Sequence, residues 1–325
     1  MRIVSGGLLA MMAAGMAMAQ DVEWRATMVR AIEAEPKMNP VDVVSIYREA
    51  KALADRFAPD DPRRWSTYNR LGVACEQAGM HAESVRIFRD ALSLIKSAVG
   101  TETLDYATAT ANLGTTFISL GEFASAESLL RKAEKILRSL QPVNPSDVAM
   151  TQSRLVEALL GAGKRAEAEH VLEAALPVLQ NDGRDHIEVA IALNSLGIIR
   201  RWQHRYDDAL RLFTAATELI KTHYGAEHPL LVRALNNLAV VYELEDKYAE
   251  AEPLFREAQA ICDRHLPPTH PSHAALLLSY ADFLRHTGEK SRAKSMEQEA
   301  RSLSHDNVRT QGRGATVDVS AFRGK

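Results

Sequence analysis

Four columns of residues recur in phase six times along this 325-residue chain, and that repetition restricts the fold more than any other feature. The anchor column is Leu71, Leu113, Leu155, Leu196, Leu238 and Tyr280, at intervals of 42, 42, 41, 42 and 42 residues. A second column follows in the same register: Ser84, Ala126, Ala168, Ala209, Ala251 and Ala293. A third reads Phe88, Leu130, Leu172, Phe213, Phe255 and Glu297, and a fourth Ala91, Ala133, Ala175, Ala216, Ala258 and Ala300. Such a period means one supersecondary unit copied along the chain. A unit that small cannot bury its own apolar face, so the copies must stack.

Each copy carries two helical patterns. In the fifth, Leu235, Leu238, Ala239 and Tyr242 recur at helical spacing, and after Glu245-Asp246-Lys247 so do Tyr248, Ala251, Leu254, Phe255 and Ala258. The small residue after the anchor (Gly72, Gly114, Gly197 or Ala239) and the alanines of the second helix let two backbones approach closely. The larger Leu, Tyr and Phe side chains fill the space between pairs. The spacing therefore predicts an all-α solenoid of stacked antiparallel helix pairs. With 46% hydrophobic, 25% charged and 6% aromatic residues, the composition agrees with a folded helical protein. A formal charge of −3 gives no basic footprint for nucleic acid, and Arg63-Arg64 and Arg200-Arg201 read as solvated helix faces.

The ends differ from the middle. Met1 and Arg2, the apolar stretch Ile3 to Met16, and small residues at Ala17 and Ala19 have the pattern of a secretory signal cleaved after Ala19. The expected organisation is thus a signal peptide over 1–19, a degenerate leading helix pair over 20–60, six repeats over 61–304 and a disordered tail over 305–325. The mature protein is expected in the periplasm or secreted, with no integral membrane span. In the leading pair, Trp24 to Glu35 and Val41 to Phe57 are the expected helices. Asn39-Pro40 and Asp61-Pro62 are N-caps followed by proline at the first helical position. Pro145, Pro229 and Pro271 punctuate later starts. Pro177 and Asn181-Asp182-Gly183 predict a bend or looser packing in the third unit. In the tail, Thr316 to Phe322 alternates like a short strand that could add to another protein's sheet edge.

The residue order resembles the tetratricopeptide repeat, and the 42-residue unit resembles its kinesin-light-chain subtype. Leu235-Asn-Asn-Leu-Ala239, Tyr242, Tyr248-Ala-Glu-Ala-Glu-Pro-Leu254, Ala258, Ile261 and His270-Pro271 carry that resemblance, as do Leu193-Asn-Ser-Leu-Gly197 and His228-Pro229. It spans about Asp61 to Ser304 and is weakest in the third and sixth units; in the sixth, Asp282 and Glu297 suit a terminal cap. It implies a right-handed superhelix whose first helices line a concave groove, and a non-catalytic module that binds a protein or peptide.

Helical rotation places residues at −5, −2, −1, +2 and +5 from the anchor on the face opposite the core. These positions supply Asn69, Arg70 and Glu76; Asn112 and Thr115; Ser153, Arg154 and Glu157; Asn194, Ser195 and Arg201; Arg233, Asn236, Asn237 and Glu243; Ser279, Asp282 and Arg285. An asparagine both donates and accepts, so it can hold an extended backbone without reading side chains, and an arginine can clamp a carboxylate. The resemblance implies such a peptide-holding role for Asn194, Asn236 and Asn237, and for Asn69 and Asn112. The same amides could instead cross-bond neighbouring helices. A second reading also stays open: a structural part of a cell-envelope assembly that binds through its convex face or tail.

No phosphate loop, nucleophile elbow or paired-cysteine metal motif is present, so no catalytic residue and no cofactor is expected. His223, His228, His265, His270 and His273 match no standard zinc spacing, and the pre-proline His228 and His270 read as turn residues. Cys75 and Cys262 lie four repeats apart, too far for a disulfide, and read as small buried hydrophobes.

Overall fold

The computed structural model describes residues 4–35, 38–182, 186–268 and 270–311. Among them the chain forms fourteen α-helices and no strand, arranged as successive pairs. A leading pair, α1 (Val4–Ala34) and α2 (Pro40–Ala54), precedes the six repeats. These are α3 (Pro62–Gln77) with α4 (His81–Ala98), α5 (Leu104–Ser119) with α6 (Phe123–Ser139), and α7 (Pro145–Gly161) with α8 (Arg165–Asp182). Then come α9 (His186–Trp202) with α10 (Tyr206–Tyr224), α11 (Leu231–Leu244) with α12 (Tyr248–His265), and α13 (Pro271–His286) with α14 (Lys290–Gln311). The fold is the expected all-α solenoid. No helix of the described residues is long and apolar enough to cross a membrane.

Starts and stops follow local chemistry. The side chains of Asn39, Asp61 and Asn144 each accept a backbone N–H two residues on, with proline next in line. His270 caps α13 in the same way, through Nδ1 and the Ser272 N–H at 3.2 Å, and His228 Nδ1 accepts from the Leu230 N–H at 3.4 Å. The pre-proline histidines are therefore turn and cap residues. Every first helix of a repeat ends in one motif, eight residues after the anchor. Gly79, Gly121, Gly163 and Gly288 have φ between 72 and 91°, and His204 and Asp246 hold φ 58° at the same place. In each case the following N–H reaches back to close the turn at 2.8–2.9 Å, as Met80 does to Cys75 and Lys247 to Tyr242.

Inside each pair the small residue beside the anchor permits close approach. A Cβ built on Gly72 would sit 2.7 Å from the Phe88 ring, one on Gly197 2.6 Å from Phe213, and one on Gly114 2.9 Å from Leu130. Phe88, Leu130, Leu172, Phe213 and Phe255 are accordingly buried, as are all six residues of the alanine column that starts at Ser84. Cys75 and Cys262 are buried and free, and burial pushes both thiols up to about 12.

Neighbouring first helices are stitched together at a separation of 43 residues, one more than the repeat. The bonds are Trp24 Nε1 to Thr67, Asn112 to Asn69, Ser119 to Glu76, Asn237 to Asn194 and His286 to Glu243. The solenoid also meets itself. A Cβ on Gly79, in the α3–α4 turn, would lie 3.6 Å from the backbone of His270 at the start of α13. His81 is buried beside that contact and electrostatically coupled to His270. The edge of the first repeat thus touches the opposite edge of the sixth.

Two expectations need correction, and one is met. The first helix does not begin at Trp24: α1 runs unbroken through the Ala19–Gln20 junction, and neither proline nor glycine falls between Met16 and Glu35. The looser packing expected around Pro177 is present: α8 continues through the proline to Asp182, and its joint with α9 is sparser than the joints before it. The last helix continues past Ser304 to Gln311, and the strand-like segment at Thr316 to Phe322 lies outside the described residues.

Candidate binding groove

Four successive first helices share one cleft of about 300 Å³, which identifies their common face as the inner surface of the solenoid. Glu76 comes from α3, Thr108, Asn112 and Thr115 from α5, Asp147 and Arg154 from α7, and Glu188 from α9. The inner surface is narrow enough for side chains to reach past an intervening helix. Arg233 on α11 pairs with Glu157 on α7, 76 residues earlier. Arg154 pairs with Glu188 and stands 3.9 Å from Glu157. Burial opposes the charge of Arg154, and Glu188 with Glu157 outweighs it, so the guanidinium is held above its ordinary range.

The nine residues singled out from the sequence fall into distinct places. Asn112 and Arg154 line the cleft. Asn69 receives a bond from the Asn112 amide at 3.0 Å. Arg233 joins the same network through Glu157. Arg70 is exposed, 3.8 Å from Glu35. Asn194 and Asn237 bond to each other at 2.9 Å and are buried, with 3% and 2% exposure. Rotation alone left these two clear of the core, and they are clear of the pair interface. They are enclosed instead between successive first helices, because position −2 of one helix faces position −1 of the next. Asn236 is half-buried, and its Oδ1 has no hydrogen-bond partner. Arg201 keeps only 5% exposure, its Nη2 has no partner, and burial lowers its pKa to about 10.

Glu188 and Asp147 were missed, because the rotational reading stopped short of the first turn of each first helix. The signal was in the sequence: Asp105, Asp147 and Glu188 stand in one column as first-turn acids of α5, α7 and α9, where a carboxylate complements the helix dipole. Glu243, which was read as a groove position, is buried, and burial raises its pKa against the opposing bond from His286.

Comparison with known proteins agrees with this architecture. The tetratricopeptide repeat model matches residues 45–139, 147–221, 188–264 and 233–304. No curated protein matches the sequence. Among solved structures, a Rap protein complexed with competence and sporulation factor aligns over 90% of this chain and 88% of its own, at 10% identity and a TM-score of 0.67. The Rap conjugation gene regulator of plasmid pLS20, in complex with the Phr* peptide, aligns over 91% and 97%, at 11% identity and a TM-score of 0.56. A putative kinesin light chain from Podosopora anserina aligns over 63% and 95%, at 18% identity and a TM-score of 0.45. With the family model covering most of its length and all six helix pairs in register, the chain belongs to the tetratricopeptide repeat family.

Proposed function

We propose that this protein is a non-catalytic interaction module that receives an extended peptide or a partner's loop on its inner surface. The observation that carries the reading is the shared cleft of about 300 Å³, where four consecutive first helices present polar side chains beside apolar Val73, Ala111 and Met150. The amide, hydroxyl and charged groups there suit a ligand with its own backbone donors and acceptors, and the apolar residues suit its side chains. Two solved structures of similar fold are complexes with a peptide or factor, and this chain's groove is read in the same sense. The structural reading, binding through the convex face or tail, is the alternative that the functional test below separates.

The site is expected to be exported. From Gln20 onward α1 is tied to the body: Gln20 bonds the Leu53 carbonyl at 3.3 Å, Asp21 pairs with Arg63 at 2.5 Å, and Trp24 bonds Thr67 at 2.9 Å. Cleavage after Ala19 leaves each of these contacts in place. N-terminal sequencing of the mature protein is expected to begin at Gln20, and an N-terminus upstream of it would refute the signal.

The functional test compares partner recovery by wild type, a groove-filling variant and a surface control after crosslinking in the envelope fraction. Thr108→Arg with Thr115→Arg puts bulk into the cleft, and Glu173→Arg changes an exposed residue of α8. Loss with the first and retention with the second is the expected result. Equal recovery by all three would move the site off the inner surface.

A further inference from the structure

We infer that the cleft receives a basic side chain of the bound segment, with the aliphatic stem of a lysine or arginine against Met150 and its cation at the Asp147 carboxylate. The inference rests on the groove reading for the place of the ligand, and adds the chemical class of the residue that the ligand presents.

The repeat register singles out Asp147. Eight residues before the anchor stand Arg63, Asp105, Asp147, Glu188, Leu230 and Ser272, so acids hold this position in the second, third and fourth repeats. Two of the three are matched by a donor from the preceding first helix: Asp105 by Trp65 Nε1 at 2.9 Å, and Glu188 by Arg154. For Asp147 the preceding first helix is α5, whose cleft residues are Thr108, Ala111, Asn112 and Thr115, and none of them carries a cation. Asn112 gives its amide to Asn69, and Thr115 its hydroxyl to the Ala111 carbonyl. Asp147 lines the cleft half-buried, with no Lys, Arg or His partner among the described residues.

The charges around the cleft do not balance. Arg154 pairs with Glu188 and stands 3.9 Å from Glu157, which pairs with Arg233. Glu76 is close enough to act on Arg154 as well, and Asp147 makes a fourth carboxylate against two guanidiniums. Arg70, on the first of these helices, stands by Glu35 instead. A cleft with protein walls focuses such an excess, which favours a cationic ligand.

The wall beside the acid is apolar. Asp147, Met150, Thr151 and Arg154 fall at i, i+3, i+4 and i+7 on α7, so Met150 lies one turn from Asp147 on the same stripe. Ala111 of α5 lines the same cavity. A lysine or arginine side chain complements both features, with an apolar stem that covers hydrocarbon and a charged head that pairs with a carboxylate. A neutral side chain of the same length matches the wall and leaves Asp147 without a partner, and an acidic one meets a like charge.

The test uses the full chain with isotope-labelled methionine methyl groups. Met150 reports on the cleft, and its resonance is assigned by its loss in Met150→Leu. The probes are pentapeptides Ala-Ala-X-Ala-Ala, acetylated and amidated, with lysine, arginine, norleucine or glutamate at X. A fifth carries norleucine and a free amino end, which separates a terminal amine from a side-chain cation. Saturable movement of the Met150 resonance by the lysine or arginine peptide, and by none of the other three, is expected. Asp147→Asn is expected to weaken that response about tenfold or more, as loss of a charge-assisted hydrogen bond implies, and Asp147→Glu to keep part of it. Asp42→Asn removes the equivalent first-turn acid of α2, exposed and outside the cleft, and should leave the response unchanged. Equal movement by the norleucine or glutamate peptide, movement by the free amine alone, or no saturable movement by any probe would overturn the basic subsite. So would a response unchanged in Asp147→Asn, or one lost equally in Asp42→Asn. If all five probes move Met150 alike while groove filling abolishes partner recovery, the groove reading stands and the preference for a basic residue fails. If lysine and arginine act as expected while groove filling leaves recovery intact, the basic subsite stands and the groove reading alone fails.

Discussion

At the scale of single residues, polar pairs and close packing set the energetics of the wall. Asn194 and Asn237 each depend on the other, since both are enclosed and their bond is the one made between them. Asn194→Ala is expected to destabilise the protein by about 1–3 kcal/mol, the cost of leaving a buried amide unsatisfied. Asn69→Ala should cost less, because Asn69 is half-buried and water can replace its partner. Urea unfolding measures both, and equal losses would contradict the assignment. Gly197→Ala tests the packing. Its new Cβ would meet the Phe213 ring at 2.6 Å, and Phe213 is fully buried. Overpacking of this kind is expected to cost about 1–3 kcal/mol, and Phe213→Leu in the same chain should recover part of it. A Gly197→Ala protein as stable as wild type would mean that the helices can separate freely.

At the scale of elements, one turn is built six times with two different chemistries. Four copies place glycine where φ is positive; the fourth and fifth place His204 and Asp246. In those two, a tyrosine two residues on bonds the turn side chain: Tyr206 with His204 at 3.0 Å, and Tyr248 with Asp246 at 2.7 Å. A left-handed conformation costs a non-glycine residue about 1 kcal/mol, and these exposed bonds return only part of it. His204→Gly is therefore expected to raise stability by about 0.5–1 kcal/mol in thermal unfolding, and a loss would show that the tyrosine bond dominates. The helix pairs, their caps and the glycine–phenylalanine contacts were legible in the sequence because each is local or repeats in phase. Gly79, Gly121, Gly163 and Gly288 form a column that was equally visible, but His204 and Asp246 interrupt it and hide the conformation they share. The asparagine cross-bonds were legible only as one of two open readings, and not which residues would pair. Rotation assigns Asn194 and Asn237 to a face, while their meeting depends on the one-residue offset between neighbouring helices.

At the scale of the molecule, small rotations between repeats accumulate until the first repeat touches the sixth. The contact brings His81 and Glu76 at the α3–α4 turn up to His270 and His273 on α13. Burial lowers the pKa of His81, and burial with the two neighbouring imidazoles takes His270 down to about 3. The ordinary value is about 6.5, so the unfolded or opened chain binds more protons than the closed one. Stability from this contact is full above about pH 6.5 and is lost as pH falls toward the folded value, by about 1.4 kcal/mol per unit for each such histidine. Small-angle scattering should show the solenoid expand at mildly acidic pH, and His270→Asn, which keeps a capping side chain but cannot titrate, should flatten the response. Identical acid expansion in that variant would place the sensitivity elsewhere. On the proposed function, the groove is the working face. The most direct test is a photo-crosslinking residue placed at Thr115 in the cleft and, separately, at Glu173 on the outer helix α8. Crosslinks to the native partner from Thr115 and not from Glu173 are the predicted result; crosslinks from Glu173 alone would contradict the groove as the site of recognition.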